Sequence, residues 1–167
     1  GYPGGPIVEA AAKLGDGTRF NLPRPILGRP ECHFSFSGLK TAVRRQIEKL
    51  SLNAMSDQDV ADLCASFQQA VGDVLIDRCR NALGQFKKLH PKGNTLVVAG
   101  GVAANKTLGA RLSELEVAEN IKLVIPPAKL CTDNAAMVAW AGLEHLQAGN
   151  FNSLDFKPRP RWPLDPA

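Results

Sequence analysis

The sequence predicts an α/β fold in which a parallel sheet packs against helices. A long helical periodicity fills the middle of the chain, two short apolar runs follow it, and a helical segment comes after each run. Strands that alternate with helices in this way form parallel sheets joined by crossover helices. Since two strands make only part of a sheet, we expect the sheet to be incomplete.

The composition is that of an ordinary globular protein. The chain has 167 residues, 44% hydrophobic and 22% charged, which disfavours disordered, collagen-like and coiled-coil classes. No apolar run approaches the roughly 20 residues that span a bilayer, and the first residues do not resemble a secretion signal. We therefore expect a cytoplasmic protein without membrane contact. Because it does not begin with Met, we interpret the chain as a fragment.

The net charge of +4 favours polyanionic partners without requiring them, since a mildly basic surface explains it as well. The cysteines form no CxxC pair, so reduced thiols are expected. They are Cys32, Cys64, Cys79 and Cys131.

The first 37 residues are rich in proline and glycine, which leaves room only for short elements such as a helical turn or two over Ile7 to Leu14. Ser37 is placed to cap a helix from about Gly38 to Leu50. The opposite face of that helix is basic, with Lys40, Arg44 and Arg45. Ser56 or Asp57 then caps a long amphipathic helix whose apolar stripe continues to Ala82.

The β-branched run Thr95 to Ala99 predicts a buried parallel strand. A helix over about Ala104 to Leu115 and a second strand over Ile121 to Ile125 follow it. The last helix, about Asp133 to Gln147, is rich in alanine and is expected to pack closely. We divide the chain into a loop-rich and helical subdomain (1–92), a strand-helix-strand-helix unit (93–150) and an extended basic tail (151–167).

The junction of the first strand with its helix is the first candidate site. Gly100 and Gly101 lie there, where backbone amides and a helix dipole favour an anion. Paired glycines also serve simply to turn a strand into a helix, and the two interpretations are equally favoured. Asn105 either binds a ligand hydroxyl or caps the helix. Gly4 and Gly5, between prolines, form a tight turn that could present amides to a substrate.

Asp133 is the second candidate, because a carboxylate just past a strand end lies where α/β folds bind ligands and metals. From spacing alone, Thr132 and Asp133 are better explained as helix caps. One Asp cannot hold a transition metal unaided, and the histidines form no HxxxH pair. Cys131 has no neighbouring His, so we expect a buried structural cysteine.

Taken together, five stretches resemble the C-terminal half of the TsaD family, also called Gcp or YgjD and related to the Kae proteins. They occur in the family's order and span nearly the whole chain. The stretches are Tyr2-Pro3-Gly4-Gly5-Pro6, Phe34-Ser35-Phe36-Ser37-Gly38-Leu39-Lys40-Thr41, Val98-Ala99-Gly100-Gly101-Val102-Ala103-Ala104-Asn105, Cys131-Thr132-Asp133-Asn134-Ala135-Ala136-Met137 and Arg159-Pro160-Arg161-Trp162-Pro163-Leu164.

The resemblance implies a two-lobed fold like that of actin and the sugar kinases (ASKHA), with ribonuclease-H-like topology and an additional helical subdomain. It implies transfer of threonylcarbamoyl from threonylcarbamoyl-adenylate to N6 of adenosine 37 in ANN-decoding tRNAs. Gly5 and Asn105 match substrate-binding positions of the family. Asp133 matches a carboxylate ligand of iron or zinc. TsaB-like and TsaE-like helper proteins are the expected partners.

The family's HxxxH pair and first phosphate loop belong to the N-terminal half, which this sequence lacks. We therefore predict that the chain alone is inactive and binds metal poorly. Several basic side chains could contact tRNA phosphates, although a solvated surface charge explains each one better: Arg24, Arg29, Lys40, Arg44, Arg45, Arg159 and Arg161.

Three alternatives remain. One is a metal-dependent glycoprotein endopeptidase, an old label of the family. Another is a catalytically dead, partner-binding relative. The third is a different carbamoyltransferase or kinase on the same fold.

Overall fold

The computed structural model describes residues 3–51, 54–155, 157–158 and 160–161. Its elements are α1 (Gly4–Ala12), α2 (Ser37–Ser51), α3 (Asp57–Leu89), β1 (Thr95–Val97), α4 (Lys106–Glu119), β2 (Lys122–Val124), a 3-10 turn (Ala128–Leu130) and α5 (Ala135–Gln147). The chain divides into two compact units, Gly1–Thr132 and Asp133–Ala167. The predicted mixed α/β class with parallel strands is confirmed.

Helix α3 begins with a reciprocal cap. The Ser56 hydroxyl accepts a hydrogen bond from the amide of Asp59 at 3.2 Å, and the Asp59 carboxylate accepts one from the amide of Ser56 at 2.9 Å. This arrangement satisfies backbone donors that have no partner inside the helix. The predicted start at Ser56 is thus confirmed, and the helix continues for 33 residues to Leu89.

The apolar side of α3 contributes to two hydrophobic clusters. In its first half, Leu63 and Ala70 pack with Leu22 and Leu39, which attaches α2. In its second half, Leu83 packs with residues of α4 and of the sheet region, namely Leu112, Leu115 and Ile121. Burial of such side chains contributes roughly 1.5–3 kcal/mol each. One helix therefore connects every larger element of the first unit.

A polar stripe on α3 holds the loop that precedes α2. Polar side chains at intervals of four to eight residues along the helix bind this loop. The pairs are Asp62 with the Asp16 amide (2.6 Å), Ser66 with the Phe20 amide (3.2 Å), Asp73 with Arg24 (2.8 Å), Asp77 with the Gly28 amide (3.3 Å) and Gln85 with the Pro30 carbonyl (3.2 Å). The loop-rich segment therefore lies parallel to α3, with the same N-to-C direction, and these hydrogen bonds hold it there.

Arg78 is the buried member of this stripe, with 1% of its surface exposed. Its guanidinium pairs with Asp77 and donates to the carbonyls of Glu31 and Arg29. Because the charge and the carbonyls are satisfied together, removing the guanidinium would leave buried polar groups without partners.

Strands β1 and β2 are parallel, with Leu96 opposite Leu123. The prediction of a buried strand is wrong: Val97 is 62% exposed. Successive side chains of a strand point to opposite faces, and Leu96 packs on the second cluster while Thr95 and Val97 face outward. In the described part of the chain, this two-stranded sheet is covered on one face.

Two further expectations need correction. Helix α1 begins at Gly4 rather than Ile7, because Pro6 is tolerated in a first helical turn. Helix α5 is capped by Asn134, which accepts a hydrogen bond from the Met137 amide at 2.9 Å, and not by Thr132 or Asp133.

Helix α5 buries none of its residues, so the predicted close packing is wrong for this chain. The described residues of the second unit contain no other helix or strand against which α5 could pack. Of the predicted basic tail, residues 156, 159 and 162–167 lie outside the described residues. None of the described helices combines the length and apolarity that a membrane crossing requires.

The cap of α3 predicts an acid-sensitive stability. Hydrogen bonds from the Ser56 hydroxyl and amide, with the Arg19 guanidinium, lower the pKa of Asp59 from 3.8 to about 2. A carboxyl whose pKa is lowered on folding stabilises the protein above its unfolded pKa. That contribution is lost as the pH falls from about 4 to about 2.

Urea unfolding between about pH 6 and about pH 2.5 measures this loss. We expect Asp59→Asn to be less stable than the wild type near neutral pH and to lose less stability on acidification. Asp57→Asn, which removes a carboxylate from the same helical turn, is the control and should follow the wild type. Parallel acid profiles for Asp59→Asn and the wild type would contradict the role given to this cap.

Candidate functional site

The first unit contains an apolar cavity of about 780 Å³. Its walls come from the first turns of α1, the middle of α3 and the segment between β1 and α4. Phe36, Phe67, Val71 and Leu108 are among its apolar lining residues. Large, mostly apolar concavities with a few polar groups are the usual form of small-molecule sites.

Gly5, Gly101 and Asn105, three of the residues predicted from sequence, line this one cavity. Gly5 is the second residue of α1 rather than part of an isolated turn, and Asn105 directly precedes α4. A Cβ atom built at Gly5 or Gly101 would meet open space. The chain therefore brings residues 5 and 101–105 together across nearly a hundred positions of sequence.

Asn105 performs the capping role that the sequence left open. Its side-chain oxygen accepts a hydrogen bond from the Leu108 amide at 2.9 Å, and its amide nitrogen donates to Gln68 Oε1 at 2.8 Å. The side chain is thus oriented from both sides by α3 and α4. A ligand hydroxyl at this position would compete with Gln68 for the Asn105 amide group.

Glu9 contributes a carboxylate that the sequence did not single out. Its Oε1 atom accepts a hydrogen bond from the Lys106 amide in the first turn of α4 at 2.9 Å. A carboxylate at a helix N-terminus is stabilised by the helix dipole. The predicted anion site at this helix start therefore already holds one negative group.

The paired glycines have different environments. Gly100 has φ +84°, in the left-handed region that side chains other than glycine rarely adopt, and its carbonyl accepts the Ala103 amide at 3.0 Å. Gly101 has no such conformation and lines the cavity. The turn interpretation therefore applies to Gly100, whereas the approach of a ligand to Gly101 stays a prediction.

Asp133 belongs to the second unit, and the other candidate residues belong to the first. Among the described residues, no three His, Cys, Asp or Glu side chains converge as metal ligands. The side chains that the structure describes therefore do not form a metal site by themselves.

None of the four cysteines lines the cavity. Burial raises the pKa of the Cys64 and Cys79 thiols, which reduces their thiolate fraction. Cys131 is 3% exposed, and its thiol donates to the Pro126 carbonyl at 3.3 Å. The predicted burial of Cys131 is confirmed.

Glu9, Gln68 and Phe36 are among the cavity residues that sequence reasoning did not assign to a site. Glu9 follows the Pro-Gly-Gly-Pro turn by one helical turn, which is a signal available once α1 is extended to Gly4. Phe36 belongs to a family motif and Gln68 does not, but only the packing of α1 and α2 on α3 shows that both residues line the cavity.

An α/β domain with a ligand-sized cavity beside a glycine-containing strand-to-helix junction is typical of nucleotide-binding proteins. Residues 1–140 match the model of a family described as TsaD, tRNA N6-adenosine threonylcarbamoyltransferase. The chain belongs to this family.

Relatives with that name come from several bacteria. The protein of Rhodospirillum rubrum is 61% identical over 166 residues, which cover 99% of this chain and 46% of the relative. That of Paramagnetospirillum magneticum is 54% identical, covering 99% and 48%. A Wolbachia relative, from the Brugia malayi strain, is 51% identical, covering 98% and 47%. The chain spans about half the length of these curated relatives.

The two glycines give a matched test. Gly100→Ala should lower the free energy of unfolding by about 1–2 kcal/mol, because alanine is strained at positive φ. Gly101→Ala should leave stability within about 0.5 kcal/mol, because a Cβ atom at this position meets open space. Urea unfolding of the two variants measures both effects. Equal stability loss in both variants would contradict the division of roles.

Proposed function

We propose that this chain is one half of a tRNA N6-adenosine threonylcarbamoyltransferase and provides one wall of its adenylate site. The cavity that joins Gly5, Gly101 and Asn105 carries the proposal. The identity with relatives of that name supports it. The whole enzyme would have the two lobes of the actin and sugar-kinase fold and would act in the cytoplasm, where tRNA is modified.

The cavity suits an adenylate for chemical reasons. A purine ring has apolar faces that pack well against side chains such as Phe67, Val71 and Leu108. Ribose hydroxyls are donors, and Glu9 supplies a carboxylate acceptor in the same cavity. The phosphate would lie near Gly101, where a glycine allows close approach to the backbone, and not at the first turn of α4, where the Lys106 amide already binds Glu9.

The reaction needs mainly positioning. The N6 amine of adenosine attacks the carbamoyl carbon, the new N–C bond forms, and the bond from that carbon to the phosphate oxygen breaks with release of AMP. The proton that the amine loses passes to the departing phosphate or to water. No group lining the cavity is placed as a convincing general base, so we assign the residues of this chain to binding and orientation.

Asp133 remains our proposed ligand for one iron or zinc ion. Since a single carboxylate does not hold such an ion, the other ligands would come from the other half of the protein. The metal's chemistry, when bound, would be to polarise an oxygen of the adenylate. TsaB-like and TsaE-like helper proteins complete the proposed assembly.

A chimera tests the proposal, with these residues replacing the matching 166 residues of the Rhodospirillum rubrum relative. We expect the chimera to modify an ANN-decoding tRNA when supplied with adenylate and helper proteins, and the isolated chain to be inactive. Modification by the isolated chain would contradict the need for a second half. An inactive chimera that cleaves a glycoprotein would favour the peptidase alternative.

Within the chimera, Glu9→Gln should raise the KM for adenylate by about tenfold or more, because a hydrogen bond to a charged group contributes about 1.5–3 kcal/mol. The amide oxygen of Gln still accepts from Lys106, so folding is preserved. Glu114→Gln, on the exposed side of α4, is the control. A KM that changes equally in both variants would count against the assignment of Glu9.

Metal content provides a separate test of Asp133. Purified chimera should retain iron or zinc, whereas the Asp133→Ala chimera and the isolated chain should lose it on dialysis, because each lacks ligands. Elemental analysis measures the metal-to-protein ratio. If the isolated chain keeps one iron or zinc per molecule, the proposed division of ligands between two halves is wrong.

A further inference from the structure

Two exposed aromatic rings lie directly before α2. The rings of Phe34 and Phe36 are stacked, with centroids 6.1 Å apart and planes inclined by 23°. Phe34 is 52% exposed, and Phe36 lines the adenylate cavity on its other side. The ring of Phe34 is therefore half exposed, and it stacks on the ring of Phe36, which lines the cavity.

Helix α2 continues from this pair with an excess of positive charge. It contains four basic residues and one acidic residue. Lys40 with Arg44, and Arg45 with Lys49, are like-charged pairs four residues apart, a spacing that destabilises an isolated helix. Only Arg44 has a carboxylate partner on the helix, Glu48, at 3.1 Å.

The helix is fixed in place by its opposite side. Leu39 is fully buried, and Val43 and Leu50 pack against the first hydrophobic cluster. The basic side chains of α2 are exposed. The packing of α2 on α3 thus holds the positive face and the Phe34 ring on a common support beside the cavity.

We propose that Phe34 and the basic face of α2 form a docking surface for the unpaired loop of an RNA hairpin, with a base stacked on Phe34 and phosphates held by Lys40 and Arg45. The inference rests on the proposed function, since the adenosine to be modified would bring its N6 amine to the mouth of the cavity that holds the adenylate. Its neighbour in the RNA loop is the base that would stack on Phe34.

The charge of α2 and the exposed ring of Phe34 together favour an unpaired RNA loop as the ligand of this surface. Exposed cations that repel one another are stabilised by a polyanion, and stacking on an open aromatic face is typical of single-stranded nucleic acid recognition. A duplex offers phosphates without an unpaired base. An acidic protein offers separate carboxylates rather than a continuous backbone in which charges and flat rings alternate, which is the pattern that this surface matches. An unpaired RNA loop satisfies both features of the surface.

Binding of this chain to a labelled hairpin RNA, and to a blunt RNA duplex of equal charge, tests the surface by fluorescence anisotropy over a range of salt. Phe34→Leu keeps the apolar surface but removes the ring. It should weaken hairpin binding about tenfold and leave duplex binding unchanged. Phe34→Tyr should restore hairpin binding, and Phe151→Leu, an exposed aromatic of the second unit, should have no effect.

The charges are tested by Lys40→Gln combined with Arg45→Gln. This variant should weaken binding of both RNAs and reduce the slope of log affinity against log salt by about 1–2. Lys88→Gln combined with Lys92→Gln removes two exposed cations elsewhere and is the matched control. Equal effects of the two double variants, or no effect of Phe34→Leu on the hairpin, would overturn the proposal.

The chimera separates this inference from the proposed function. If the chimera modifies tRNA and its Phe34→Leu variant has an unchanged KM for tRNA, the docking surface is wrong and the proposed function stands. If the chimera does not modify tRNA while this chain still binds the hairpin through Phe34, the proposed function fails and the docking surface stands.

Discussion

The two-sided pattern of α3 is the constraint on which the rest of the first unit depends. Its apolar side forms both hydrophobic clusters, and its polar side binds the loop from Asp16 to Glu31 through successive side chains. Buried Arg78 joins the two functions, because it lies within the helix packing and satisfies loop carbonyls. These hydrogen bonds fix the path of the backbone from Asp16 to Glu31, a segment for which the sequence predicts only loops and turns.

The path of this backbone segment along α3 determines where the cavity forms. Gly15 lies so close to the backbone of Ala61 that a side chain at that position would collide with it, and this contact lets α1 lie against α3. The loop then delivers Phe36 to the same region, while α4 brings Asn105 against Gln68. The segments that line the cavity are therefore positioned by their packing on α3, and this rigid helix would fix the geometry around a bound ligand.

The sequence predicted the features that depend on local chemistry. The cap at Ser56, the two parallel strands and the grouping of Gly5 with Asn105 follow from hydrogen-bonding residues, β-branched runs and family motifs. It could not predict the polar stripe of α3, because its residues pair with partners more than forty positions away. It also overestimated the burial of β1 and α5, because burial depends on neighbours that an isolated segment does not reveal.

The most direct measurement is amide chemical shifts of the labelled chain during titration with a nonhydrolysable threonylcarbamoyl-adenylate analogue. The account predicts shifts concentrated at Gly5, Glu9, Gly101 and Asn105, the residues around the cavity of the first unit. Saturable shifts confined to another region, such as the groove between α3 and α4 near Arg111, would contradict it. So would the absence of any shift at millimolar analogue.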